Sequence, residues 1–139
     1  MMTIVPALNF DGRCRDALHL YEKAFGGTVT SLITYREADD PMYNPLLNED
    51  QWDWIYHAEL RLGDQRIIMC DNLSVPFQTS YATFLTVMCD KKEDVEKAYE
   101  IMKEGSQTIY PMEETAYSSC RVVFVDRYGI RWGIMTESI

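Results

Sequence analysis

The sequence predicts an α+β protein made of two successive β-α-β-β-β modules, the first over about 1–75 and the second over about 80–139. Three observations predict it. Apolar runs with strand composition alternate with two stretches whose apolar residues recur at helical spacing. Each half closes on a pair of such runs joined by a turn. The same order of elements then occurs twice within 139 residues, with little residue identity between the halves. At 47% hydrophobic and 12% aromatic, one domain of this length can bury a core, which excludes a disordered tail and a disulfide-stapled miniprotein.

The elements follow in order. Ile4 to Phe10 is a short apolar run closed by Asp11-Gly12, a strand and then a turn. From Cys14 the apolar groups Ala17, Leu18, Tyr21, Ala24 and Phe25 form one helical stripe, ended by Gly26-Gly27. Thr28 to Tyr35 is rich in β-branched residues and reads as the second strand. Arg36 to Asp53, with Pro41, Pro45 and several acids, reads as a long surface loop. Ile55 to Leu62 and Arg66 to Asp71 flank Gly63-Asp64 as a hairpin. In the second half Phe84 to Met88 is a strand, and Asp90 is placed to cap a helix with the stripe Val95, Ala98, Tyr99 and Met102, ended at Gly105. Gln107 to Tyr110 is a short strand, and Cys120 to Val125 with Ile130 to Met135 make a second hairpin about Asp126-Arg127-Tyr128-Gly129. Each sheet has a helix for one face, so its other face must find a partner or enclose something.

Composition excludes several functions. With 22 Asp plus Glu against 13 Lys plus Arg, the net charge of −9 disfavours a phosphate backbone or an anionic membrane surface, so neither nucleic acid nor membrane is an expected partner. Two histidines, His19 and His57, cannot build an imidazole-rich site. Cys14, Cys70, Cys89 and Cys120 form no Cys-x-x-Cys pair and read as buried small hydrophobes in a reducing cytoplasm. Neither a leader-like N-terminus nor a run of some 20 apolar residues is present.

Ordered pieces along the chain carry a resemblance: Pro6 through Gly12, Ala17 through Gly27, His57-Ala58-Glu59-Leu60 with Gly63-Asp64, Met69-Cys70-Asp71, and Asp126 through Trp132. In combination they resemble the glyoxalase/bleomycin-resistance superfamily (vicinal oxygen chelate proteins), and within it the PhnB-like group, some of whose members are labelled 3-demethylubiquinone methyltransferases. The resemblance implies a curved mixed sheet, an incomplete barrel around a cavity, and a homodimer. Metal enzymes of the superfamily place His, Gln or Glu on the first and last strand of each module. Here those positions fall on Pro6, Met69, Phe84 and Gly133, or, one residue away, on Ala7, Cys70, Thr83 or Leu85, and Trp132. None of these makes a usual side-chain set for a divalent ion, so no metal or other cofactor is expected. No glycine-rich nucleotide loop of a Rossmann methyltransferase is visible.

Strand alternation puts His57, Glu59 and Arg61 on one face of the third strand and Ala58, Leu60 and Leu62 on the other. If Asp71, Ile67 and Met69 join the polar trio, an imidazole between carboxylates is available for proton transfer, with His57, Glu59 and Asp71 as candidate catalytic residues. The alternative is that His57 bonds locally and fixes the hairpin. Leu8, Phe10, Trp54, Met69, Phe84, Thr86, Tyr117 and Trp132 are the candidate cavity lining for a small-molecule ligand, although aromatic groups equally fill cores and dimer seams. Three functions follow: a metal-free binder of a small organic molecule, a His57-dependent isomerase or lyase, and a metal-dependent glyoxalase-like lyase.

Overall fold

The computed structural model describes residues 1–73 and 76–138, so the expected end of the first module near position 75 lies outside the described residues. The chain forms two compact units, Met1–Phe77 and Gln78–Ile139. The first unit runs β1 (Ala7–Phe10), α1 (Cys14–Phe25), β2 (Thr28–Thr34), α2 (Tyr35–Ala38), β3 (Ile55–Leu62) and β4 (Gln65–Asp71). The second runs β5 (Leu85–Cys89), α3 (Lys92–Met102), β6 (Gln107–Glu113), β7 (Arg121–Val125) and β8 (Arg131–Thr136). Each unit holds one four-stranded mixed sheet, ordered β1-β4-β3-β2 and β5-β8-β7-β6. β1 lies parallel to β4 and β5 parallel to β8, while the remaining neighbours are antiparallel. The architecture is therefore the α+β one that the sequence predicts.

The helices form for the reasons their patterns give. α1 buries Cys14, Ala17, Leu18 and Tyr21, and Gly26 ends it in the left-handed conformation with its N–H donating to the Glu22 carbonyl. α3 buries Val95, Ala98 and Met102. Its cap is a correction: Asp90 is not the N-cap, which is an extended Lys91 with no side-chain hydrogen bond to the helix. β1 starts at Ala7, since Ile4 is exposed and outside the ladder. β6 runs on to Glu113 through Pro111, as an edge strand with two register shifts can.

The expected loop from Arg36 is more structured than its prolines suggest. Thr34 and Glu37 form a reciprocal capping box that starts α2, and Asn48 with Gln51 forms another at a short 3-10 turn, Glu49–Gln51. Tyr35, Tyr43 and Tyr56 then meet edge to face with centroids 5.4–5.9 Å apart. Among the described residues no helix is long and apolar enough to cross a membrane.

Candidate functional site

Register decides which side chains share a face. In the first unit Ala58 pairs with Met69 and Leu60 with Ile67, while Leu8 pairs with Met69 and Phe10 with Asp71. Alternation therefore puts Leu8, Phe10, Ile67, Met69 and Asp71 with Ala58 and Leu60 on the face toward α1. Phe10, Ala58, Leu60 and Met69 are buried there. The opposite face carries Asn9, His57, Glu59, Arg66, Ile68 and Cys70.

This corrects the expected catalytic trio. His57 and Glu59 do meet, Nε2 to Oε2 at 3.4 Å, and Arg66 Nη1 reaches the other Glu59 oxygen at 2.8 Å. Asp71 is on the other side of the sheet. Its buried carboxylate accepts the N–H groups of Gly12 (2.8 Å), Cys14 (3.0 Å) and Ile55 (2.9 Å), tying the start of α1 to the start of β3. Burial raises the Asp71 carboxyl above its usual range, against the pull of those three donors. Glu59 is held below the usual range, first by the hydrogen bond from His57 and then by Arg66. Removing the imidazole in H57A should raise the Glu59 carboxyl toward its ordinary value in an NMR titration of the side chain; an unmoved value would show that the pair is not coupled.

Leu8, Phe10 and Met69 are likewise corrected: they lie on the α1-facing side, where Phe10 and Met69 are buried in the first unit's core and Leu8 is half-buried. Trp54 lies against Gly12, at the turn between β1 and α1.

In the second unit Phe124 pairs with Trp132 and Val122 with Ile134. The Phe124 ring meets Tyr99 of α3 at 5.1 Å, which fixes this as the helix-facing side. Trp132 is fully buried on it, donating from Nε1 to Asp126 Oδ2 at 2.9 Å, and so is a core residue rather than lining. Thr86 pairs with Gly133 on the face away from α3, joined by Met88 and Met135, Val123 and Tyr110. A Cβ on Gly133 would sit 3.2 Å from the Phe84 ring and 3.3 Å from Thr86 Oγ1, so glycine lets Phe84 lie down over β8.

Two arginines share this face. Arg121 pairs with Met135 and Arg131 with Val125. The Arg121 guanidinium stacks between Tyr110 (5.1 Å) and Tyr117 (5.7 Å), and Nη1 donates to Tyr117 Oη. The Arg131 guanidinium lies 4.6 Å from Phe84 and 5.9 Å from Tyr81, with Nη1 donating to the Tyr81 carbonyl. Tyr81, Phe84, Met88, Tyr110 and Tyr117 all remain exposed. Sequence reasoning named Phe84, Thr86 and Tyr117 but missed Tyr81, Tyr110 and both arginines. The signal was available: Arg131 and Gly133 have the same parity on β8.

Donors for a metal are poorly placed. On the faces away from the helices, the strand positions named by the resemblance present Ala7, Cys70, Phe84 and Gly133. Only Cys70 has a donor atom; burial pushes its thiol pKa up, and it donates to Asn9 Oδ1 at 3.0 Å. These residues do not fit a divalent ion. Among the described residues no three His, Cys, Asp or Glu side chains gather into such a site.

Residues 2–135 match the model of the family described as 3-demethylubiquinone-9 3-methyltransferase. YjdN of Escherichia coli is 24% identical over 139 residues, 96% of this chain and 94% of that protein. The crystal structure of PA1353 from Pseudomonas aeruginosa is 28% identical with a TM-score of 0.84, covering 99% of this chain and 98% of that one. A PhnB protein from Bacillus cereus shares the fold at 20% identity, with a TM-score of 0.81 over 97% of this chain and 99% of that one.

Proposed function

The chain belongs to the 3-demethylubiquinone-9 3-methyltransferase family, within the PhnB-like group of the glyoxalase/bleomycin-resistance superfamily, and from that membership we propose that it binds a small organic molecule without a metal. The supporting observation is the face of the second module away from α3. Five large exposed apolar or aromatic side chains gather there around two arginines, a combination that suits a ligand and burdens a bare surface.

The reading does not extend to methyl transfer, despite the family's description. Such a nucleotide-like cosubstrate is ordinarily held by backbone amides at a strand-to-helix turn in a doubly wound parallel sheet. At the β1-to-α1 turn the Gly12 and Cys14 amides are already taken by Asp71, and each sheet has a single parallel pair. The His57 chemistry is not favoured either, since Asp71 is on the opposite side of β4. In this reading the two modules make one glyoxalase-like domain and the protein works as a cytoplasmic homodimer. The four free cysteines suit a reducing compartment, and edge strands suit a second copy.

Nile red, a neutral apolar dye, tests the reading. It should bind saturably at one dye per chain to a species sedimenting as two chains, recovered in the cytosolic fraction of its cells. F84A and Y110A should each weaken it about fivefold, the effect of roughly 1 kcal/mol of lost aromatic contact. Unsaturable binding, or binding indifferent to both variants, would sink the assignment to this face.

A further inference from the structure

We propose that the face of the second module away from α3 is built for an organic dicarboxylate, a flat apolar body with one carboxylate received by Arg121 and the other by Arg131. This specifies the ligand class of the binding reading above and rests on it.

The first support is placement. Val123 pairs with Gly133 midway between the Arg121–Met135 and Val125–Arg131 pairs. The arginines are thus separated by four residues along adjacent strands, roughly 13 Å at a rise of about 3.3 Å per residue. Val123 and Gly133, with Phe84 laid over the glycine, form an apolar floor between two cationic ends.

The second support is unmet hydrogen bonding. The Nε atoms of Arg121 and Arg131 are both buried, with no hydrogen-bond partner among the described residues. Among the described residues neither guanidinium has a carboxylate within salt-bridge distance. Acids are not scarce in this chain, where 22 Asp and Glu face 13 Lys and Arg. Even Glu113, the cross-strand partner of Arg121, is exposed and makes no ion pair with it. A guanidinium partly withdrawn from water with no carboxylate beside it is costly, so its retention asks for an anion at the nitrogens that remain open.

The third support is orientation. Each guanidinium is stacked on rings and, among the described residues, anchored through Nη1, Arg121 on Tyr117 Oη and Arg131 on the Tyr81 carbonyl. That leaves Nη2 of each guanidinium as the donor open to a carboxylate oxygen. Aromatic stacking fixes the plane of the guanidinium in advance and lowers the entropy lost on binding.

The experiment compares biphenyl carrying a carboxylate at both para positions with its monocarboxylate and its neutral dimethyl ester, by calorimetric titration. The dicarboxylate should bind about tenfold or more tighter than the monocarboxylate, and the ester weakest. R121M and R131M should each cost the dicarboxylate about tenfold, the scale of a lost charge-assisted bond, and cost the neutral ester less than that. Because the Nε donors are unmet in the free protein, both variants should melt at or above the wild-type temperature. Should either melt lower, R121K and R131K serve instead, keeping charge without the planar, ring-stacked guanidinium; wild-type dicarboxylate affinity in those variants would overturn the assignment. Equal affinity for dicarboxylate and ester would also overturn it while leaving the binding reading intact, whereas loss of saturable Nile red binding by the wild type would overturn the binding reading itself.

Discussion

Replacing Asp71 with alanine is expected to cost about 3–5 kcal/mol of folding stability, a large share of the 5–15 kcal/mol typical of a domain. The carboxylate is buried and accepts three backbone N–H groups, from Gly12, Cys14 and Ile55. Alanine would leave all three donors without a partner, and an unmade buried bond costs about 1–3 kcal/mol. D71N should fall between, since its single carbonyl oxygen can keep the Gly12 and Cys14 bonds but its amide faces the Ile55 N–H. Urea denaturation reads both values, and a loss below about 1 kcal/mol in D71A would refute the structural role. The pH dependence has a definite sign. Burial raises the Asp71 carboxyl in the folded chain, so the folded state binds that proton more tightly than the unfolded one. Between the ordinary and the raised value stability therefore falls as pH rises, and the gap between wild type and D71N should widen on acidification through that window.

How much of this was legible depends on the local pattern. The α1 stripe and the two hairpin turns are explicit in the sequence, and the repeated order of elements gives the topology. Strand parity is explicit only where apolar and polar residues alternate. Ile55 to Leu62 alternates, and its faces follow directly. β4 reads Ile67-Ile68-Met69-Cys70, apolar at both parities, so nothing local decides which pair faces α1. The pairing of Ala58 with Met69 decides it, and the expected trio loses Asp71 by one step of register. The same ambiguity in Val122-Val123-Phe124-Val125 hid the two arginines, whose parity becomes meaningful only once Phe124 is seen against Tyr99. Leu8 and Phe10 failed for another reason. Their alternation with Ala7 and Asn9 was clear, but placing the apolar set toward a ligand conflicted with placing the polar set of β3 there. One face of a sheet cannot take both, and the helix took the apolar one.

Gly12→Ala should cost about 2–5 kcal/mol, and it separates two causes that a structure alone merges. Gly12 has φ +111°, outside the regions an L-residue adopts readily, so any side chain pays backbone strain. Independently, an added Cβ would sit 2.6 and 2.8 Å from two ring carbons of Trp54. Neither can shift cheaply, because the Gly12 N–H is bonded to Asp71 and the Trp54 backbone is tied to Tyr35, whose N–H donates to its carbonyl at 3.0 Å. A double-mutant cycle apportions the cost. In the W54A background the ring is gone, so G12A should cost only the strain, about 1–3 kcal/mol, and the coupling between the sites should be favourable by about 1–3 kcal/mol. Zero coupling would mean the ring swings away freely and the whole penalty is conformational. A measured coupling would establish that Trp54 is held as packing against the β1-to-α1 turn.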